Sequence, residues 1–356
     1  MVGLHTDTTS RLRLRGAAGV PPADGRRQSP TPPRCDTTGH STTGWRPGRT
    51  HPESGSHALA AAARTAGVGS VRRPAGNAAA QPALGDTARM QAAALSSLLL
   101  GHRSIRQYKP DPVDPALVEA VLGEAIAGGS SSGNLNSVSV VLTREPARRE
   151  ALYELHSRQD MVRQAPLVVT FCADFFRTRQ WLALRGARDN FDNLVGWHTA
   201  AFDAMIVAQN ACLGFEARGL GICYMGTTLF RMAEIADLLQ LPETVAPVTT
   251  IVVGWPAEDP PKRDRLPLAA FVHEERYRVR SDAELLAEYG EREVRGWQRY
   301  MADPQLKARA EELGITSLAQ FYTSKAKYDP ERFARFSAAM AALLRRQRFL
   351  QDGDAA

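Results

Sequence analysis

A run of seven residues, His102-Arg103-Ser104-Ile105-Arg106-Gln107-Tyr108, places an imidazole, a hydroxyl and two guanidinium groups within five positions. Such donors suit phosphate oxygens or the electron-rich edge of a planar heterocycle, because forked, permanently charged groups meet paired acceptors there. Three further stretches carry related chemistry. Ser130-Ser131-Ser132-Gly133-Asn134-Leu135-Asn136 offers hydroxyls and amides for directional contacts to a ring or a phosphate. Lys262-Arg263-Asp264-Arg265-Leu266-Pro267 is a basic loop. Gly219-Leu220-Gly221-Ile222-Cys223-Tyr224-Met225-Gly226 follows a helical pattern and lacks the third glycine of a GxGxxG turn, so it fails the dinucleotide fingerprint. Its glycines instead permit a tight helix cap and a close backbone approach to a ligand. Taken singly, each stretch also reads as an ordinary polar turn or a solvated charge run.

The remaining reactive types have plainer readings. Cys35, Cys172, Cys212 and Cys223 show no CxxC or CxxH spacing, so neither a disulfide framework nor a zinc site is expected, and the last three sit in apolar, core-like contexts. His156, on an amphipathic helix, reads as a surface or hydrogen-bond-satisfied histidine; His198 is a candidate for a substrate channel. Trp255 is expected to pack under a strand end. The stretch from Phe176 to Val195, with Trp181, Arg185 and Arg188, could form a substrate lid.

The elements that must position these groups follow from periodicity. A short helix is expected over about 91–100. Asp114 caps a second helix with Pro115 at its first position, and Leu117, Val118, Val121, Leu122, Ala125 and Ile126 recur at helical spacing until Gly128-Gly129. Residues 137–143, 166–173 and 246–254 are β-branched runs that read as largely buried strands. The segment from about Thr199 to Arg218 is apolar on nearly all sides, the mark of a helix buried all round and often placed at a dimer interface. Another helix is expected over about 228–239, and three more over 282–299, 303–312 and 331–347.

Composition bounds the whole. With 44% apolar residues the 356-residue chain can fill a core. The net charge of +6 is concentrated in residues 1–89, which are rich in Gly, Pro, Ser, Thr, Ala and Arg. That segment has no lysine and only Trp45 as an aromatic, so it lacks the interleaving that nucleic acid recruits, and no nucleic-acid partner is expected. We expect it to be disordered, with Met90 as an alternative start. No apolar run approaches the roughly 20 residues of a membrane helix, and no secretory signal is evident. A cytoplasmic enzyme is expected, with no membrane partner.

The order and spacing of the four stretches, together with RQDMVRQAP, FCADF, DAMIVAQNA, LPETVAPVTTIVVGWPAEDP and RLPLAAFVHEERY, resemble the flavin-dependent nitroreductases, in particular the oxygen-insensitive NADPH nitroreductase and flavin reductase branch. The resemblance runs from about Leu98 to Tyr277. It implies an α+β fold, three-layered, with a central mostly antiparallel sheet flanked by helices, in a domain-swapped homodimer. It divides the chain into the extension 1–89, an FMN-binding domain 90–278 and a helical C-terminal extension 279–356 packing on the dimer. FMN would lie at the dimer interface. His102, Arg103, Ser104 and Arg106, with Arg263 and Arg265, would hold its phosphate and ribityl side. Ser130, Ser132, Asn134 and Asn136 would lie along the ring and ribityl chain, Gln159 would approach the ring, and Tyr224, Met225 and Gly226 would place backbone near N5. The implied reaction carries hydride from NADPH or NADH through FMN N5 to nitroaromatics, quinones or flavin in a ping-pong cycle, with no protein acid–base pair and no metal. Reductive dehalogenation, ene reduction or flavin fragmentation on the same scaffold, and a non-enzymatic FMN-binding redox sensor, remain as alternatives.

Overall fold

The computed structural model describes residues 85–351. The expectations for residues 1–84, disorder and Cys35 among them, lie outside that range. The first helix, α1 (Asp86–Gly101), begins before the expected residue 91 and includes Met90. In α2 (Pro115–Ala127) the Asp114 carboxylate accepts from the Ala116 N–H at 2.9 Å, and Gly128 follows as the C-cap.

Four strands form one sheet in the order β1 (Val138–Thr143), β2 (Leu167–Asp174), β4 (Val245–Gly254) and β3 (Gly221–Tyr224), with every pairing antiparallel. The continuous apolar runs of β2 and β4 are explained by cover on both faces. Leu167, Val169, Phe171, Ile251 and Val253 point into one cluster, with Val118 and Val121 of α2 and Ala204, Ala208, Ala211 and Phe215 of α6 (Leu194–Glu216). Val168 and Val252 point the other way. They meet Leu152 of α3 (Pro146–Leu155), Met161 and Val162 of α4 (Asp160–Gln164), and Ile235 of α7 (Met232–Leu238). Helices on two faces of a sheet whose side chains alternate give the three layers. Register slips once between Phe171 and Cys172, opposite Pro247, where a residue without an N–H cannot continue the ladder.

Several elements differ from expectation. Strand β3 occupies the middle of the glycine-containing stretch 219–226, read above as cap and loop, because Ile222 and Cys223 have core to enter on opposite faces. Of the helix expected over 228–239, only α7 is α-helical; Gly226–Phe230 form a 3-10 turn before it. Helix α6 is not buried all round. Val195, Phe202, Met205 and Ile206 are exposed, Phe202 at 61%, because the sheet covers only the opposite face of the helix. Half of the expected lid, Phe176–Leu184, is helix α5, with Trp181 exposed.

The C-terminal segment holds α8 (Asp282–Met301), α9 (Pro304–Glu312), the unexpected short α10 (Leu318–Tyr322) and α11 (Pro330–Arg346). Ser281 and Glu284 cap α8 reciprocally. Helix α11 returns to the core of its own chain: Leu343 and Leu344, with Phe349 beyond it, join Phe175, Trp197 and Met232, and Phe336 stacks on Phe230 at 4.3 Å. Among the described residues no helix is long and apolar enough to cross a membrane.

Candidate functional site

The donor-rich run is anchored by the two residues that do not face outward. Ile105 donates its N–H to the Ile222 carbonyl of β3 at 2.9 Å. Tyr108 is buried, donates its hydroxyl to the Ile105 carbonyl at 2.8 Å, and bridges to Pro256 just past β4. Burial raises its phenol well above the ordinary tyrosine value, so it stays a neutral donor. The approach is close enough to exclude side chains. A Cβ on Gly221 would sit 2.7 Å from Ile105, and one on Gly254 would sit 2.9 Å from Tyr108 and 2.6 Å from Pro166. Gly221 therefore serves chain packing, whereas Gly219, at φ +80°, makes the turn out of α6.

With those anchors set, His102, Arg103, Ser104 and Arg106 line a cleft of about 730 Å³ together with Lys262, Arg263 and Arg265 from the loop after β4. The two basic stretches thus meet across about 160 residues of sequence. Arg295 and Arg299, one turn apart on α8, line the same cleft; their i,i+4 spacing is the one sequence signal for them. Asp264 is the one acid among the residues lining it, and it pairs with Arg295 at 3.2 Å. Arg103 pairs with Asp259. A cleft lined so heavily with one sign of charge focuses positive potential inward.

His102 is held from behind. Its Nδ1 lies 2.7 Å from Glu216 Oε1 at the end of α6, while Glu216 Oε2 is buried without a hydrogen-bond partner. Burial raises the Glu216 carboxyl, and the His102 contact opposes that rise.

The 130–136 loop lies elsewhere. Ser130 and Ser132 line a separate cleft of about 480 Å³ beside Phe202, Met205 and Ile206 on the exposed face of α6. Its shape is fixed by Asp203, 2% exposed, a residue overlooked above although it is a lone carboxylate in an apolar helical pattern. Asp203 accepts from Ser131 Oγ at 2.7 Å, the Ser132 N–H at 3.3 Å, and the Ser137 hydroxyl and N–H at 2.7 and 3.1 Å. Asn134 and Asn136 adopt left-handed φ of 55° and 54°, and Asn136 turns its amide back to the Asn134 carbonyl at 2.8 Å.

Near the end of β3, Tyr224 contacts Gln209 at 3.3 Å. Met225 is buried; its N–H donates to Thr250 and its carbonyl accepts from Thr228, so Gly226 is the exposed member of the trio. Gln159 donates to the His156 carbonyl at 2.9 Å and to the Thr227 hydroxyl at 3.3 Å. His156 is not a surface residue: it is fully buried, and only its Nδ1 has a partner. His198 lies on the outer face of α6, edge-on to Phe202 at 6.0 Å. Cys172, Cys212 and Cys223 are buried free thiols pushed up by burial, Cys212 to about 12, as their core reading requires. Trp255 packs against the sheet cluster and donates to Pro112 at 3.2 Å. Among the described residues no group of three His, Cys, Asp or Glu could hold a metal ion.

Comparison with known proteins gives concordant matches. The profile of the nitroreductase family matches residues 99–255. The chain is 38% identical over 196 residues to an oxygen-insensitive NADPH nitroreductase of Salmonella typhimurium, covering 54% of this chain and 78% of the relative. It is 31% identical over 221 residues to an FMN reductase [NAD(P)H] of Bacillus subtilis, covering 57% and 88%. Among solved structures, NfrA2 of B. megaterium superposes with a TM-score of 0.57 at 31% identity, covering 73% of this chain and 98% of that one.

Proposed function

The chain belongs to the nitroreductase family, and from that premise we propose that it passes hydride from NAD(P)H through FMN to nitroaromatic, quinone or flavin acceptors in a ping-pong cycle. It is an NAD(P)H-dependent flavin oxidoreductase with FMN as cofactor. The observation that carries the finer reading is the convergence of residues 102–106 and 262–265 on one cation-lined cleft.

The cleft fits the group. Its volume of about 730 Å³ falls within the range of ligand pockets, and its guanidinium forks match a phosphomonoester dianion. His102, Arg103, Ser104, Arg106, Arg263 and Arg265 hold the phosphate and ribityl side. Gln159 and the Tyr224–Gly226 backbone approach the ring. FMN supplies a two-electron carrier that accepts hydride from one substrate and delivers it to the next. N–H donors that meet the ring would stabilise negative charge on its reduced form.

Two further features support an assembly of two chains. Ser130, Ser132, Asn134 and Asn136 belong to a region distinct from the cationic cleft, and the apolar face of α6 beside them is exposed. A second copy covering that face brings its 130–136 loop to the first copy's FMN and completes the site. The cations also outnumber what one phosphate requires, and Arg299 lines the same cleft beside Arg295, which is paired with Asp264; this surplus supports a preference for the extra phosphate of NADPH. Titration of flavin-free protein with FMN, followed by steady-state assays with NADPH and NADH against a nitroaromatic, a quinone and FMN, tests the reading. It predicts one FMN per chain and a lower KM for NADPH; no FMN uptake contradicts it.

A further inference from the structure

Thr227, the residue after Gly226, closes a small polar circuit with two residues of the α3–α4 connection. Its Oγ1 lies 2.8 Å from His156 Nδ1 and 3.3 Å from Gln159 Nε2. The Gln159 amide can be oriented in only one way, because the same Nε2 donates to the His156 carbonyl at 2.9 Å. Gln159 is therefore a donor to Thr227.

The histidine tautomer follows from burial. His156 has no exposed surface, and its Nε2 has no hydrogen-bond partner. Burial holds the ring neutral, with its pKa pushed down to about 4. A neutral imidazole carries one proton, on either nitrogen. On Nε2 that proton leaves a buried N–H unsatisfied; on Nδ1 it leaves only a bare lone pair, and orphaned buried N–H groups are the rarer outcome. So Nδ1–H donates to Thr227 as well. With both lone pairs of Oγ1 occupied, the hydroxyl proton must point away from the circuit. Thr227 is half-buried and Gly226 beside it is exposed. The chain bends sharply to make this arrangement: Ser157 and Arg158, the two residues between His156 and Gln159, both adopt left-handed φ, 60° and 55°, a conformation that non-glycine residues hold mainly where the surroundings impose it.

We propose that His156 and Gln159 lock the Thr227 hydroxyl as an obligate hydrogen-bond donor to a carbonyl oxygen of the flavin ring. The assignment rests on the FMN reading above, in which the Tyr224–Gly226 backbone lies near N5; the Met225 N–H is spent on Thr250, so the exposed Gly226 would face N5 and the adjoining ring carbonyl would fall to the next residue. His156 is a positioning residue here, since it acts through Thr227. A ring carbonyl gains electron density when flavin is reduced, so this donor binds the reduced form more tightly than the oxidised one.

The test compares the full-length wild type with Thr227→Val, Thr227→Ser and His156→Gln, each loaded with FMN, by FMN dissociation constant and midpoint potential. Thr227→Val is expected to weaken reduced FMN about tenfold more than oxidised FMN, a potential lower by about 30 mV for a two-electron couple. Thr227→Ser should keep the wild-type potential, and His156→Gln should move toward the valine variant. If His156→Gln does not fold, the two Thr227 variants still decide. Wild type and Thr227→Val with equal potentials overturn this assignment alone, as do equal shifts in the valine and serine variants. A wild-type chain that takes up no FMN overturns the reading of the site and this assignment with it.

Discussion

Arg106 has one clear task in the proposed site. Its side chain lines the cationic cleft, whereas the fold is anchored by the neighbouring Ile105 and Tyr108. Arg106→Ala should therefore weaken FMN binding roughly ten- to a hundredfold, the loss of charge-assisted hydrogen bonds worth about 1.5–3 kcal/mol. Thermal unfolding of the flavin-free variant should match wild type. Asp203 makes the opposite contrast: it borders the separate cleft beside α6 rather than the cationic one, and its carboxylate organises the 130–137 loop. An asparagine there can present only one oxygen to the three donors on Oδ2 and the one on Oδ1. We expect Asp203→Asn to lose about 2 kcal/mol in denaturant unfolding. Buried His156 gives a pH signature. Its native pKa of about 4 lies below the ordinary 6.5, so the unfolded chain takes up a proton first as pH falls. The stability it contributes is present above pH 6.5 and declines by about 3 kcal/mol on the way down to pH 4. Denaturant unfolding at pH 7 and pH 4.5 should show a smaller loss for His156→Leu than for wild type.

Among the elements, those with many repeats of one pattern were legible and the short or two-faced ones were not. Asp114-Pro115 and Gly128 bound α2 in sequence and in structure, and the three long β-branched runs became β1, β2 and β4 within a residue or so at each end. Strand β3 has four residues and opens on glycine, so its local pattern is that of a turn; only pairing with β4 makes it a strand. Helix α10, at five residues, is similarly too short to announce itself. For α6 the limit is different. An apolar surface around a helix records everything that will cover it, and one chain covers only the sheet side. The exposed stripe at Val195, Phe202, Met205 and Ile206 is the face we assign to a second copy. Charge placed there, as in Phe202→Glu with Met205→Glu, should shift sedimentation from dimer to monomer and lower FMN content together. A monomer that retains full FMN content would sever the two.

At the scale of the molecule, the site joins pieces that local sequence cannot connect. The family resemblance implies a common role for residues 102–106 and 262–265, and the structure brings them to one cleft. The contacts that carry positioning were invisible, because Asp203 acts on residues 66 to 72 positions away and His156 on Thr227, 71 positions away. Arg295 and Arg299 likewise come from the C-terminal helices, whose α11 packs on the core while α8 borders the cleft. The claim that all these pieces serve one flavin is tested most directly by anaerobic stopped-flow mixing of the FMN-loaded chain with NADPH or NADH, then with a nitroaromatic. The account predicts that the flavin's visible absorbance bleaches in the first mixing, faster with NADPH, and returns in the second at a rate that depends on acceptor concentration. A bound flavin that neither coenzyme reduces within the time of a steady-state turnover would contradict it.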